Sequence, residues 1–86
     1  MDAAQAEHMI EHLKTKVLRK RNVQIDVDTP LVTSGMVDSF ALVDTLVELE
    51  RVTNRHIPAT KVQPEDMDTV RLMFETAERV GKPREP

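Results

Sequence analysis

At 86 residues the chain has room for one small domain with a modest core. Its net charge of −3 opposes non-specific attraction to a nucleic-acid backbone, and a composition without tyrosine or tryptophan provides no surface on which bases stack. The absence of cysteine excludes disulfides and thiolate metal sites, so any thiol chemistry would have to come from a cofactor.

The first predicted element is an amphipathic helix over residues 4–20. His8 and His12 lie one helical turn apart on it, but no third ligand is indicated, so we interpret both as solvated surface residues and predict no metal site. The predicted apolar face of this helix consists of Met9, Ile10, Leu13 and Val17.

A basic run lies at the end of this helix and continues into the next segment. Cations complement the dipole at a helix C-terminus, so a structural role is favoured, and docking to an acidic partner is the alternative. The run contains Lys14, Lys16, Arg19, Lys20 and Arg21.

Residues 21–38 are predicted to form a long ordered loop. Val23, Ile25 and Val27 alternate as in a strand, yet the sequence offers no convincing second strand to pair with them. We therefore expect these side chains to pin a loop that leads to Ser39.

The stretch from Ser34 to Phe40 combines a turn residue with helix-capping residues. Gly35 permits a tight turn, and Asp38 and Ser39 are good N-capping residues before a helix predicted over residues 39–54. A serine hydroxyl at a helix entrance lies where unpaired N–H groups and the helix dipole favour a phosphate. Asp38 is placed to hold a divalent cation during phosphoryl transfer.

This second helix is apolar on two sides. Leu42, Leu46 and Leu49 are predicted to face the core. The other stripe is either covered by a neighbouring helix or exposed as a docking surface for partners. The residues predicted for docking are Phe40, Val43, Asp44, Val47 and Arg51.

The remaining sequence predicts two shorter elements and a tail. Ile57, before Pro58, is expected to plug the core, and a short helical turn is predicted over residues 64–67. A last helix is predicted over residues 69–80, capped by Asp68 and stopped by a C′ glycine at Gly81, with a frayed tail over 81–86. The predicted fold is all-α, a bundle of three main helices plus one short turn.

The pattern Gly35-x-x-Asp38-Ser39, followed by Leu49-Glu50 and Ile57-Pro58, resembles the acyl carrier protein family, including peptidyl and aminoacyl carriers. The resemblance covers residues 31–80. It implies the same helical fold and a long first loop. It also implies that Ser39 carries 4′-phosphopantetheine, which a phosphopantetheinyl transferase moves from coenzyme A onto the serine with the assistance of Asp38.

The expected function is therefore that of a carrier, not an enzyme, with an acyl- or aminoacyl-loading ligase or synthase as its second partner. We expect a cytoplasmic monomer without nucleic-acid or membrane partners, since the sequence contains no transmembrane stretch and no secretory signal. The alternative is an unmodified helical interaction module in which Asp38-Ser39 is only a helix cap.

Three positions depart from the pattern of fatty-acid carriers. Phe40 replaces a common leucine, Thr53 replaces a common phenylalanine, and Arg51 interrupts the usual acidic run. These departures put a specialised carrier, such as one loaded with an amino acid by a separate ligase, on an equal footing with a carrier of primary fatty-acid synthesis.

Overall fold

Three helices form the frame of the protein in a computed structural model that describes residues 2–20 and 22–84. Helix α1 spans Ala3–His12 and continues as a π-helical segment over Leu13–Val17, α2 spans Ser39–Thr53, and α3 spans Val70–Val80. Short 3₁₀ helices span Ala59–Lys61 and Pro64–Met67. The prediction of an all-α bundle with a long first loop is confirmed.

Each of the three helices begins at a side chain that accepts a backbone N–H three residues later. Asp2 caps α1 at 2.7 Å, Asp38 caps α2 at 2.9 Å and Thr69 caps α3 at 3.0 Å. These caps satisfy N–H groups that have no partner within their own helix. Polar residues that the sequence places before apolar periodic runs thus fix where the helices start.

Helix α1 ends earlier than the predicted residue 20. Its last turn widens, with the Leu18 N–H donating to the carbonyl oxygen of Leu13 at 2.7 Å, and Arg19 then adopts a left-handed φ of 56° that no helix continues through. Of the basic run, Lys14 and Lys16 lie in the last helical turn, while Arg21 lies outside the described residues.

The core receives side chains from all three helices and from the loops between them. Of the loop residues predicted to pack, Ile25 and Ile57 are buried and Val23 and Val27 are partly buried, and Leu31 is buried as well. Met9 and Leu13 of the predicted apolar face of α1 are buried, and the buried residues of α3 include Val70, Met73, Phe74 and Ala77. The long first loop is therefore held by packing and does not form a strand in its described part.

Two predictions about the ends of α3 are wrong. Thr69 caps the helix instead of Asp68, whose carboxylate accepts hydrogen bonds from the first loop. Gly81 follows the helix with a φ of −76°, so it is not a left-handed C′ glycine. A glycine is needed there for another reason, because a Cβ atom would collide with the carbonyl oxygen of Ala77.

The prediction of a frayed tail over residues 81–86 is wrong for residues 81–84, which the structure describes. Residues Lys82–Pro83 (β2) pair antiparallel with Arg55–His56 (β1), and the Arg84 N–H donates to the carbonyl oxygen of Asn54 at 3.2 Å. Residues 85–86 lie outside the described residues. The segment after α3 is thus tied to the segment after α2.

Within residues 2–20 and 22–84, every helix is too short or too polar to cross a membrane.

Candidate functional site

Ser39 is the first residue of α2 and is exposed to solvent. The preceding residue, Asp38, has an extended backbone, and its carboxylate accepts the Ala41 N–H at 2.9 Å. Among the described residues, none makes a hydrogen bond with the Ser39 hydroxyl. Asp38 therefore supplies the cap, and the serine oxygen is left accessible at the positive end of the helix dipole.

The loop before Ser39 is closed by its own hydrogen bonds. The Gly35 N–H donates to the carbonyl oxygen of Val32 at 3.0 Å, and the Val37 N–H donates to that of Leu31 at 2.9 Å. Gly35 has a φ of 81°, which side chains with a Cβ rarely adopt. Leu31 and Val37 are both buried, so the turn is anchored in the core one residue before Asp38.

Asp68 holds the start of this turn from the other side of the chain. Its Oδ1 accepts the backbone N–H groups of Leu31, Val32 and Thr33 at 3.2, 2.8 and 2.9 Å. The Thr33 hydroxyl lies 3.1 Å from Oδ2. These hydrogen bonds, with that of the Thr33 N–H foremost, hold the pKa of Asp68 below its ordinary value.

The outer stripe of α2 is exposed, which excludes burial by a neighbouring helix as its explanation. Phe40, Val43 and Val47 are 87%, 63% and 51% exposed. Asp44 and Arg51 are exposed along the same helix, and Arg51 Nη1 lies 3.5 Å from Glu48 Oε1. An apolar stripe with charges of both signs thus extends from the residue after Ser39.

The inner side of α2 differs from the predicted leucine face. Leu49 is fully buried, but Leu42 and Leu46 are only half-buried. The other fully buried residue of α2 is Thr45, whose hydroxyl donates to the carbonyl oxygen of Ala41 at 2.9 Å. A threonine packs here because its hydroxyl is satisfied within the helix.

An apolar groove of about 200 Å³ opens beside Ser39, between α2 and the 3₁₀ helices. Leu42 and Leu46 line it, which explains why they are only half-buried. The other lining residues are Ser39, Val43, Ala59, Val62, Gln63, Pro64 and Met67.

A second cavity, of about 540 Å³, lies between α1 and the outer side of α2. His8 Nε2 lies 2.5 Å from Glu48 Oε2, and the hydrogen bond with His8 is the main cause that holds the pKa of Glu48 below its ordinary value. His12 is not the solvated residue predicted, because its Nε2 is buried and has no partner among the described residues. Burial lowers the pKa of His12. Within the described part of the chain, no cluster of three potential ligands is placed to hold a metal ion.

Comparisons with protein-family models, with curated proteins and with solved structures returned no match. Function is therefore inferred from the residues of the chain and their geometry.

Sequence reasoning placed Asp38 and Ser39 correctly at the start of α2, but it missed the hydrogen bonds of Asp68 and the groove. The groove depends on the Ala59–Lys61 helix, which no local pattern indicated. The only available signal for Asp68 was that two residues of capping type, Asp68 and Thr69, stand next to each other before α3. A helix needs only one N-cap, so the other residue was free for a different role.

Proposed function

We propose that the protein is a carrier that holds an acyl or aminoacyl group as a thioester on 4′-phosphopantetheine attached to Ser39. The observation that supports this most strongly is the exposed, unengaged hydroxyl of Ser39 directly after the Asp38 cap. When bound, the prosthetic group supplies the thiol that a chain without cysteine does not have.

The residues around Ser39 fit such a group. The first N–H groups of α2 and its dipole favour a phosphate on the serine oxygen, and the exposure of Ser39 leaves room for a flexible arm. The Asp38 carboxylate retains acceptor capacity beyond its bond to Ala41, so it has an oxygen with which to ligate the cation of a transferase.

The proposed partners are a phosphopantetheinyl transferase and an acyl- or aminoacyl-loading ligase or synthase. Their docking surface is the exposed stripe of Phe40, Val43 and Val47, with Asp44 and Arg51 at its edge. A tethered arm raises the local concentration of cargo at each docked enzyme without tight binding. The positive charge of Arg51 on this surface interrupts its acidic character and keeps a specialised carrier, such as an aminoacyl carrier, on an equal footing with a carrier of primary fatty-acid synthesis.

The exposed apolar stripe would equally serve an unmodified interaction module. In that case Ser39 would have no role in chemistry, and a loading assay separates the two functions.

The test is intact mass after incubation with coenzyme A and a broad-specificity phosphopantetheinyl transferase. The protein should gain one phosphopantetheine, and Ser39→Ala should gain none while keeping its stability within about 0.5 kcal/mol, because Asp38 provides the cap. Ser34→Ala, read at the end point of a long incubation, is the control for the attachment position, since Ser34 is the only other serine of the chain; its hydroxyl donates to the carbonyl oxygen of Pro30 at 2.7 Å within the turn before Ser39, so its loss affects the rate of loading and not its extent. It should load fully. A folded wild-type protein that gains no mass would support the interaction module instead.

A further inference from the structure

We propose that Asp68 is a positioning residue for Ser39, which fixes from the α3 side of the bundle the loop that delivers the serine to its transferase. This inference rests on the proposed function, since it takes Ser39 as the modified residue. Asp68 lies far from Ser39 in sequence and does not contact it in the hydrogen-bond network described.

Asp68 holds the first loop through hydrogen bonds to its carboxylate. The N–H groups of Val32 and Thr33 donate to Oδ1 at 2.8 and 2.9 Å, and the Leu31 N–H is shared between Oδ1 at 3.2 Å and the backbone carbonyl oxygen of Asp68 at 2.7 Å. Successive N–H groups point at one oxygen only when the backbone curls around it. The carboxylate therefore selects one backbone conformation for this segment, and charge-assisted hydrogen bonds make that selection strong.

The second step carries this conformation to Ser39. The carbonyl oxygen of Leu31 accepts the Val37 N–H at 2.9 Å, so the residue that Asp68 holds is bonded directly to the residue before Asp38. Leu31 and Val37 are 0% and 3% exposed, and neither has free space in which to relax. The position of Asp38, and with it the first turn of α2, is thus set by the anchored turn.

A separate contact holds the earlier part of the loop. Arg71 of α3 binds Asp28 through Nε at 2.7 Å, and the Arg71 N–H donates to the carbonyl oxygen of Val27 at 3.0 Å. This contact lies before Pro30, outside the turn that leads to Ser39. Of these two attachments to the α3 region, Asp68 is the one continuous with the modification site.

The test compares transfer kinetics with amide hydrogen exchange in Asp68→Ala and Asp68→Asn. Exchange at Val32 and Thr33 should accelerate most in both variants, and Val37 should follow, whereas the Leu31 N–H keeps its bond to the backbone carbonyl oxygen of residue 68. The kcat of phosphopantetheine transfer should fall about tenfold or more in Asp68→Ala, because misplaced reacting groups slow chemistry, while KM changes little because the docking stripe is untouched. Asp68→Asn should lie between, since its amide oxygen still accepts N–H groups but carries no charge.

The matched control is Asp66→Ala, in the Pro64–Met67 helix that directly precedes Asp68. Its carboxylate accepts the Gln63 N–H at 2.8 Å and pairs with Arg79 at 3.4 Å, so its loss destabilises the region without freeing the loop. It should load at the wild-type rate. Faster exchange in either Asp68 variant with an unchanged kcat, or an equal loss of kcat in Asp66→Ala, overturns the positioning role alone. A wild-type protein that is never loaded overturns the proposed function as well.

Discussion

At the scale of single residues, different residues at the start of α2 make the turn, cap the helix and present the hydroxyl. Gly35 makes the turn with its φ of 81°, Asp38 satisfies the Ala41 N–H, and Ser39 presents a free hydroxyl. A serine that also served as the cap would have its oxygen engaged by the backbone. Because Asp38 provides the cap, the Ser39 oxygen is left accessible for the modification proposed above.

Asp38→Asn separates the capping role of Asp38 from its charge. Asparagine caps a helix about as well as aspartate, but it lacks the negative charge that would bind a transferase cation. We expect the melting temperature to change little and the rate of phosphopantetheine transfer to fall by about tenfold or more. Thermal unfolding and transfer kinetics measured on one preparation check this. Equal losses in stability and rate would show that Asp38 acts through the fold.

Residues whose contacts are close in the sequence could be predicted, and residues whose contacts are distant could not. Asp38 and Ser39 were predicted because a cap acts on an N–H three residues away. The partners of Asp68 lie 35 to 37 residues earlier in the chain, and no local pattern encodes such a pairing. Because the Asp68 carboxylate is engaged by these distant N–H groups, Thr69 caps α3 instead.

At the scale of elements, periodicity predicted the positions of α2 and α3 and the two apolar sides of α2, but it left open whether the outer side is covered or exposed. It failed where the end of a helix depends on a left-handed backbone conformation, or where a segment pairs with a partner distant in the sequence. The end of α1 is set by the left-handed Arg19, and the pairing of β1 with β2 joins segments about 27 residues apart. Periodicity also assigned Leu42, Leu46 and Leu49 equally to the core. In the structure Leu49 is buried, whereas Leu42 and Leu46 line the groove.

The two sides of α2 should respond differently to truncation. Leu49→Ala should cost about 2–5 kcal/mol of unfolding free energy because Leu49 is fully buried. Val47→Ala, at 51% exposure, should cost well under about 1 kcal/mol yet weaken loading by a cognate enzyme. Chemical denaturation and loading kinetics on both variants provide the measurement. If Val47→Ala lost as much stability as Leu49→Ala, this stripe would belong to the core and not to a docking surface.

At the scale of the whole molecule, a few polar contacts join segments that lie far apart in the sequence. Glu50 Oε2 accepts the Ile57 N–H at 2.8 Å and lies 3.2 Å from His56 Nδ1, while Oε1 lies 3.7 Å from an Arg84 nitrogen. One α2 side chain thus connects the segment after α2 to the segment after α3. The 2.5 Å contact of His8 with Glu48 joins α1 to α2 in the same way.

The packing of α1 against α2 should make the stability of the whole bundle depend on pH below 6.5, through His12. His12 Nε2 is buried without a partner, and burial lowers the pKa of His12 below 6.5, against the opposing charges of Glu48 and Asp44 and with the support of His8 and Lys16. The unfolded chain therefore binds this proton more readily than the folded one. Stability should be complete above pH 6.5 and should fall as the pH decreases from 6.5 toward the folded pKa.

The measurement is the melting temperature of wild-type protein and of His12→Gln between about pH 7.5 and about pH 5.5. Over this range Glu48 and Asp68, whose pKa values are lowered from 4.5 and 3.8, stay ionised, and their contributions are lost only at lower pH. Wild-type protein should melt a few degrees lower at the acidic end, and His12→Gln, which cannot take up the proton, should lose most of this dependence. Identical pH profiles for the two proteins would show that protonation of His12 does not oppose the packing of α1 on α2.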